Sequence, residues 1–346
     1  MPTLRDISNA TGYALSTVSL ALRNDPSLKP ETQKAIQQAA HELGYRPNPL
    51  VSALMRQVRD KRCPRKESVA IISRFSRPIS TNRKANDFYR MIYDAAIRQA
   101  EMRGYGVDEF YLGGNTISDS RISGILKARG IHGVLLLPGR DSNSVIIDYP
   151  LLNSPDLTTV LVGFDTSQRN LHQVATDYYY DIDCAIQRAL HAGYTRIGLA
   201  IDQSADRATN HSWASRFLFF QQSMPEKQRV PLLFPRKTQE LIEQGYGWFN
   251  EHRPEVVLVS NTGLEKHLVD SGVVVPDDVR LIHLTKRGDT DMAGINPHTE
   301  RLGSVAVDLL VQLLQTNQFG PPSYPQTVAI KGSWSPGYSF PEDLPT

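Results

Sequence analysis

The chain has 346 residues, 40% of them hydrophobic and 21% charged, and carries a net charge of +2. These are globular proportions that exclude a disordered chain, and the length predicts two or three domains rather than one core. No apolar run reaches the roughly 20 residues that span a bilayer, and the start MPTLRDISNATG lacks the apolar centre of a signal peptide. Two cysteines, Cys63 and Cys184, make neither a disulfide framework nor a metal pattern, so a reducing cytoplasm is the expected location.

The first predicted elements are short helices. Thr3 followed by Asp6 has the form of a capping box, with Asp in the place of the usual Glu or Gln. Leu4, Ile7 and Ala10 make one apolar stripe, which Gly12 ends; Leu15, Val18 and Leu22 make a second. After the turn-like Asn24-Asp25-Pro26, Pro30 opens a third helix with Ala35, Ile36, Ala39, Ala40 and Leu43 facing inward, closed by Gly44. Two short helices around a glycine turn, covered by a third, predict a helix-turn-helix over residues 1–46. Residues 1–66 hold 11 Lys and Arg against 5 Asp and Glu, a balance of +6, while residues 67–346 hold 27 against 31, a balance of −4. A basic head on a slightly acidic body points to a polyanionic partner for the head, with a solvated charged tail as the plainer alternative.

Residues 47–66 read as a connection. Pro47 and Pro49 break the third helix, Leu50–Val58 has the length of about two helical turns, and residues 59–66 are a basic linker. So short a helix is marginal alone and is expected to order against a partner. From Ser68 the pattern changes to apolar runs (VAIISRF, VDEFYL, GVLLLP, TVLVGF, RIGLAI, VPLLF, VVLVS, LIHLT) alternating with helical stretches such as FYRMIYDAAIRQAEMRG and DIDCAIQRALHAG. That alternation predicts βαβ units and parallel sheets, in two subdomains, with ligands at the carboxyl ends of strands or in a cleft between subdomains.

TLRDISNATGYALSTVSLALRN resembles the N-terminal signature of the lactose-repressor/galactose-repressor family of bacterial transcription regulators, through Asp6-Ile7, Ala10, Gly12, Thr17-Val18-Ser19 and Asn24. ELGYRPN at 42–48 and LVSALM are similar to that family's third-helix end and hinge helix. GIHGVLLLP, Thr176-Asp177, HAGYTRIGLAI, PDDVRLIHL and LGSVAVDLLVQLL continue the likeness in order along the body. The resemblance implies an all-α helix-turn-helix head on an α/β, periplasmic-binding-protein-like core of two doubly wound parallel-sheet subdomains, crossed three times by the chain. The expected division is roughly 67–163 plus 293–323 and 164–292 plus 324–340. It also implies a homodimer reading a pseudo-palindromic DNA operator, probed by a small, carbohydrate-like effector, with no membrane partner and no cofactor.

In such a head the second helix enters the major groove, so Leu15, Ser16, Ser19 and Leu20 are the expected base-facing residues, with Thr17 and Ser19 placed for phosphates. The resemblance adds Thr3, Asn24, Tyr45 and Asn48 to the DNA contacts, and Leu54 as an apolar wedge for the minor groove, beside Val51 where a small Ala is usual. Three departures bear on the reading: Ala14 and Lys29 stand where capping Ser is common, and Leu20 where an Arg able to grip guanine is usual. In the body, Arg216 matches an effector-gripping Arg, with Phe219 in place of the motif's Gly. Asp165 matches a cleft carboxylate, and Phe88 and Tyr89 match aromatics that stack on ligand rings. Asn261-Thr262 stands where Asn-Asp is usual, and Trp213 offers a compensating stacking face. The duller readings are an ion pair for Arg216 and packing for Phe88, Tyr89 and Trp213.

No G-x-S-x-G, P-loop, H-E-x-x-H or G-x-G-x-x-G occurs, and the nine His residues lack metal spacing, so neither catalytic nor metal-ligating residues are expected. The sequence therefore predicts a DNA-binding transcriptional regulator, a repressor. The alternative is a small-molecule sensor with a degenerate head, suggested by Leu20, Ala14 and Lys29.

Overall fold

The computed structural model describes residues 3–22, 28–43, 45, 67–73, 75, 77–81, 87–112, 119–137, 153–164, 170–286, 288 and 290–341. The expected hinge helix and linker, with Leu54, and the positions Asn24, Asn48 and Asp165 lie outside the described residues.

The head is three helices, α1 (Leu4–Thr11), α2 (Leu15–Ala21) and α3 (Pro30–Glu42). The Asp6 carboxylate accepts from the Thr3 backbone N–H at 2.7 Å and the Thr3 hydroxyl at 2.8 Å, which holds the start of α1. Gly12 ends it at φ 71°, a left-handed position that costs glycine little, and donates to Ser8 O at 2.9 Å. Ile7, Val18, Ala21, Ile36 and Ala40 form the head's core, with Leu4, Leu22, Leu28 and Tyr45 packed on it. Three residues of the apolar stripes read as inward-facing are exposed: Ala10, Ala35 and Leu43. On α3 the buried pair Ile36 and Ala40 is one i, i+4 row, and Ala35 lies 100° off it. Leu43 sits at the helix end, where Tyr45 folds back, donating from its backbone to Ala40 O at 2.9 Å, and covers the core instead.

The body contains two sheets. The first holds β1 (Ser68–Ser73), β2 (Gly106–Tyr111), β3 (Gly133–Leu137), β4 (Thr158–Val162), β5 (His172–Thr176) and β10 (Thr327–Ile330), in the order β10-β5-β4-β3-β1-β2, every pair parallel. Helices α4 (Asp87–Met102) and α11 (Thr299–Gln315) cover one face, where Ile92, Ala96, Leu302, Ala306 and Leu310 pack on Val69, Ile71, Leu135 and Val160. Helix α5 (Asp119–Arg129) covers the other through Ile122 and Leu126 on Ala70, Ile72, Val134 and Leu136. Burial of both faces explains why these strands read as continuous apolar runs. The helices α4 and α11 approach closely at Gly303, where a Cβ would lie 2.1 Å from Ile92 O.

The second sheet has the order β11-β9-β8-β7-β6, from β6 (Ile197–Ala200), β7 (Val256–Val259), β8 (Arg280–His283), β9 (Gly294–Asn296) and β11 (Ser333–Ser335). Only β11 runs antiparallel, against β9. Around it lie α6 (Tyr178–His191), α7 (Gln203–Ala208), α8 (Ser212–Ser223), α9 (Thr238–His252) and α10 (Thr262–Asp270). Val256, Leu258 and Ile282 face α6 and α8, while Val257, Val259 and Leu281 face α9 and α10. Here the sheet order corrects the expected division. Strands β5 and β10 pair with each other and belong to the first sheet, and β9 belongs to the second. The crossings therefore fall at residues 177, 297–298 and 331–332. The run VPLLF is not a full strand: Leu233 alone bridges Ala200, and Pro231 beside it has no N–H to extend a ladder.

Candidate functional site

On the head, burial divides α2 into two faces. Val18 and Ala21 are buried, and the opposite side carries Leu15, Ser16, Ser19 and Leu20. Leu15 is 43% exposed and Tyr13, just before the helix, 37%. No acidic or basic side chain lies in α2, so this face offers two methyl-rich side chains and two hydroxyls. Thr3 is exposed and tied to Asp6; Thr17 and Tyr45 are half-buried.

In the body, the topology alone places the cleft. Strands β5 and β10 both leave the first sheet at its carboxyl edge, at Thr176 and Ile330, and the chain enters the second subdomain directly. From the second sheet, β9 leaves at its carboxyl end, and β11 enters beside it, Ser333 opposite Asn296. All three crossings thus join carboxyl edge to carboxyl edge, and the two edges face each other. This is where open α/β sheets take ligands.

The unpaired polar groups gather there. Ser73 Oγ ends β1, Thr176 Oγ1 ends β5, Asn261 Nδ2 follows β7, Trp213 Nε1 opens α8, and Asp181 Oδ2 lies in the first turn of α6; all are buried without a hydrogen-bond partner among the described residues. Buried polar atoms are otherwise satisfied in folded proteins, and groups left over need a stated reason. Among the described residues, only Thr159 Oγ1, inside β4, is an orphan away from this edge. Asn261 is held in place by capping α10, its Oδ1 accepting from Gly263 N at 3.0 Å and Leu264 N at 3.2 Å, so Nδ2 is its spare donor. Thr262 beside it is exposed. Trp213 is 3% exposed and meets Tyr178 edge-on at 5.5 Å, and Tyr178 in turn touches Phe164 beyond β4 at 6.2 Å, an aromatic row across the first crossing. Phe88 and Tyr89 open α4, edge-on to each other at 5.2 Å, with Phe75 against Tyr89 and Phe88 packed on the first core.

Asp181 ties the third crossing to α6. Its Oδ1 accepts from Gly332 N at 2.7 Å. Burial pushes its carboxyl up to about 7, Asp177 adds to the rise, and the Gly332 N–H works against it. Arg216 is committed elsewhere: its guanidinium pairs with Asp183 on α6, Nε to Oδ1 at 2.9 Å, and lies over the Tyr179 ring at 5.8 Å. Phe219, in the place of the motif glycine, is 71% exposed and touches no core.

Sequence reasoning passed over residues 203–215, which build a pocket of about 290 Å³ at the carboxyl end of β6. Gln203, Arg207, His211 and Ser215 line it with Leu218 and Phe234. Gln203 N donates to Pro235 O at 2.9 Å, which fixes both sides of the pocket past the bridged ends Ala200 and Leu233. The available signal was the polar stretch after RIGLAI, dense in Asp, Arg, Asn and His.

The family model described as "Bacterial regulatory proteins, lacI family" matches residues 3–48, the three-helix head and the segment just after it. Over these residues the chain matches the lacI family. HTH-type transcriptional regulator RegA of Clostridium saccharobutylicum is 22% identical over 341 residues, 93% of this chain and 95% of its own length. HTH-type transcriptional regulator GalR of Streptococcus thermophilus is 26% identical over 329 residues, 90% and 92% of the two chains. Among solved structures, the transcriptional regulator CelR–cellobiose complex is similar with a TM-score of 0.58 and 21% identity, over 98% of this chain and 100% of that one. The Lac repressor dimer bound to operator and the anti-inducer ONPF gives 0.58 and 17%, over 98% of both chains. The fold is thus shared with these structures over nearly the whole length.

Proposed function

We infer that this lacI-family chain is a sequence-specific DNA-binding transcriptional regulator, a repressor acting in the cytoplasm, whose affinity for DNA is set by a small carbohydrate-like effector held between the two carboxyl edges. The carrying observation is the pairing of a helix-turn-helix head, α2 face outward, with a body whose unpaired buried polar groups collect in one cleft. Exposed Leu15 and Ser16, with Ser19 and Leu20, face the major groove, and Thr3, Thr17 and Tyr45 help to position the head on phosphates. The protein acts as a homodimer, its two heads reading the halves of a pseudo-palindromic operator, as symmetry requires of a two-fold pair. Support comes from relatives solved with cellobiose and, as a dimer, with an operator. In the cleft, neutral donors and aromatic faces (Asn261, Trp213, Phe88, Tyr89) suit a hydroxyl-bearing ring.

The test is the salt dependence of DNA binding. A balance of +6 over residues 1–66, doubled in a dimer, releases counterions on binding. Affinity should fall linearly in log–log form, by on the order of 10³ between 50 and 200 mM salt if about six phosphates are contacted. A flat response removes the nucleic-acid reading and leaves a sensor with a vestigial head.

A further inference from the structure

Between α7 and α8, at the carboxyl end of β6, the pocket brings an arginine and a histidine together. Asp206 in α7 is 1% exposed, and both of its carboxylate oxygens are spent inside the protein. Oδ1 accepts from Ala214 N at 3.1 Å and Oδ2 meets His211 Nδ1 at 2.8 Å. A buried carboxylate on Nδ1 fixes the imidazole ring and leaves Nε2 as its outward nitrogen. The backbone is shaped to the same end. Asn210 (φ 53°) and His211 (φ 62°) are consecutive left-handed residues without being glycine, a conformation that persists where the surroundings over-determine it and that gathers at ligand sites.

Beside His211, Arg207 lines the same pocket and makes no ion pair with any described residue. Its five donors form a planar fork matched to carboxylate or phosphate. Gln203 and Ser215 add neutral polar atoms, while Leu218 and Phe234 form an apolar wall. The pocket therefore presents cationic and neutral donors around one wall for carbon, and its single carboxylate is already used. Arg216 does not compete for the role. On α8 it lies about 160° around the axis from Ala214 and Leu218, on the side bonded to Asp183.

We propose that the effector is an anionic sugar derivative, bearing a carboxylate or a phosphate, whose charged group is held by Arg207 and His211 while its carbon skeleton lies against Leu218 and Phe234. This rests on the cleft reading given above and extends it along the carboxyl end of β6.

The experiment is calorimetric titration of the full chain with matched sets: neutral mono- and disaccharides, the corresponding uronic acids, and the corresponding sugar phosphates. The expected result is that one anionic member binds at least tenfold tighter than its neutral parent, and the uronate and phosphate arms identify the group. Arg207→Gln should weaken the anionic member by tenfold or more with the neutral parent changing far less, and Arg207→Lys, which keeps the charge but loses the fork, should fall between. His211→Gln, removing the ring and its outward Nε2, serves should the Arg207 variants not fold. A neutral sugar binding as tightly as its anionic counterpart overturns the proposal and leaves the cleft reading standing, as does an anionic sugar indifferent to Arg207→Gln and His211→Gln. Failure of all three classes to bind overturns both.

Discussion

The head and the body keep their chemistry in opposite places. In the head, five buried side chains hold three helices together, and the residues proposed to meet DNA are the exposed Leu15 and Ser16 with the half-buried Ser19 and Leu20 on the far side of α2. Those can change without disturbing Val18 or Ala21. In the body, four larger clusters sandwich the two sheets, and the polar groups proposed to meet a ligand are buried: Asn261 caps a helix with its other atom, Trp213 is packed on Tyr178, and Asp181 ties down a crossing. Specificity in the head is carried by the surface and is cheap to vary. In the body it is carried by groups that also hold the fold, so a change of ligand must be compatible with stability.

The contrast can be broken most severely at Gly303. A side chain there meets Ile92 O and Ala96 N, both backbone, so Gly303→Val should unfold the body, seen as loss of its thermal transition. Retention of a normal transition would mean that α4 and α11 slide apart freely and that the body is less tightly built than described. Ile36→Ala tests the other side. The typical cost of ~2–5 kcal/mol for such a truncation matches most of what so small a unit can hold. DNA binding should be lost while the body's melting point stays put; a joint fall would show that head and body unfold as one.

Asp181 sharpens the comparison through pH. Its folded carboxyl titrates at about 7 against an ordinary 3.8, so the folded state binds the extra proton between those values. Stability is fully present below about pH 4 and declines as pH rises towards 7. Asp181→Asn keeps an acceptor for Gly332 N without the charge, so it should raise the melting point at pH 8 and change it little at pH 4. Three units correspond to at most about 4 kcal/mol. An Asn variant that is no more stable at pH 8 would show the carboxylate to be solvated. The smallest effect belongs to the surface. Leu20 has no hydrogen-bonding atom and can favour thymine only through its C5 methyl, so Leu20→Arg should move one half-site position from A·T towards G·C by ~1–3 kcal/mol, read by selection from a randomised operator library. The same base chosen by both proteins would place residue 20 outside the groove.

Periodicity exposed most of the framework because both faces of each sheet are covered, which turns β1, β3, β4, β7 and β8 into unbroken apolar runs. Strand β5 escaped because HQVAT mixes His and Gln with its apolar residues, and β9 to β11 are three or four residues long and partly exposed. With β5 and β10 unseen, the subdomain boundary was misplaced. The outward side of α2 was legible because it is the complement of a short apolar stripe. Asn261 and Trp213 were legible as candidates, but the unpaired state of Nδ2 and Nε1 was not, since leaving a donor unpaired depends on packing between distant segments. Nor were Arg207 and His211, which irregular backbone brings to Phe234 from more than twenty residues away.

The pairing of β10 with β5 has a consequence for biosynthesis. Thr327 meets Gln173 across 154 residues of chain, and α11, which covers the first sheet, begins only at Thr299. On the ribosome the head, made of contacts within residues 3–45, can fold almost as soon as it emerges. The first sheet must wait with an open edge until residue 330 is synthesised, long after β1 to β5 have left the tunnel. A translating ribosome therefore carries a finished DNA reader attached to an unfinished body, and strand edges exposed in that interval are where chaperones should bind.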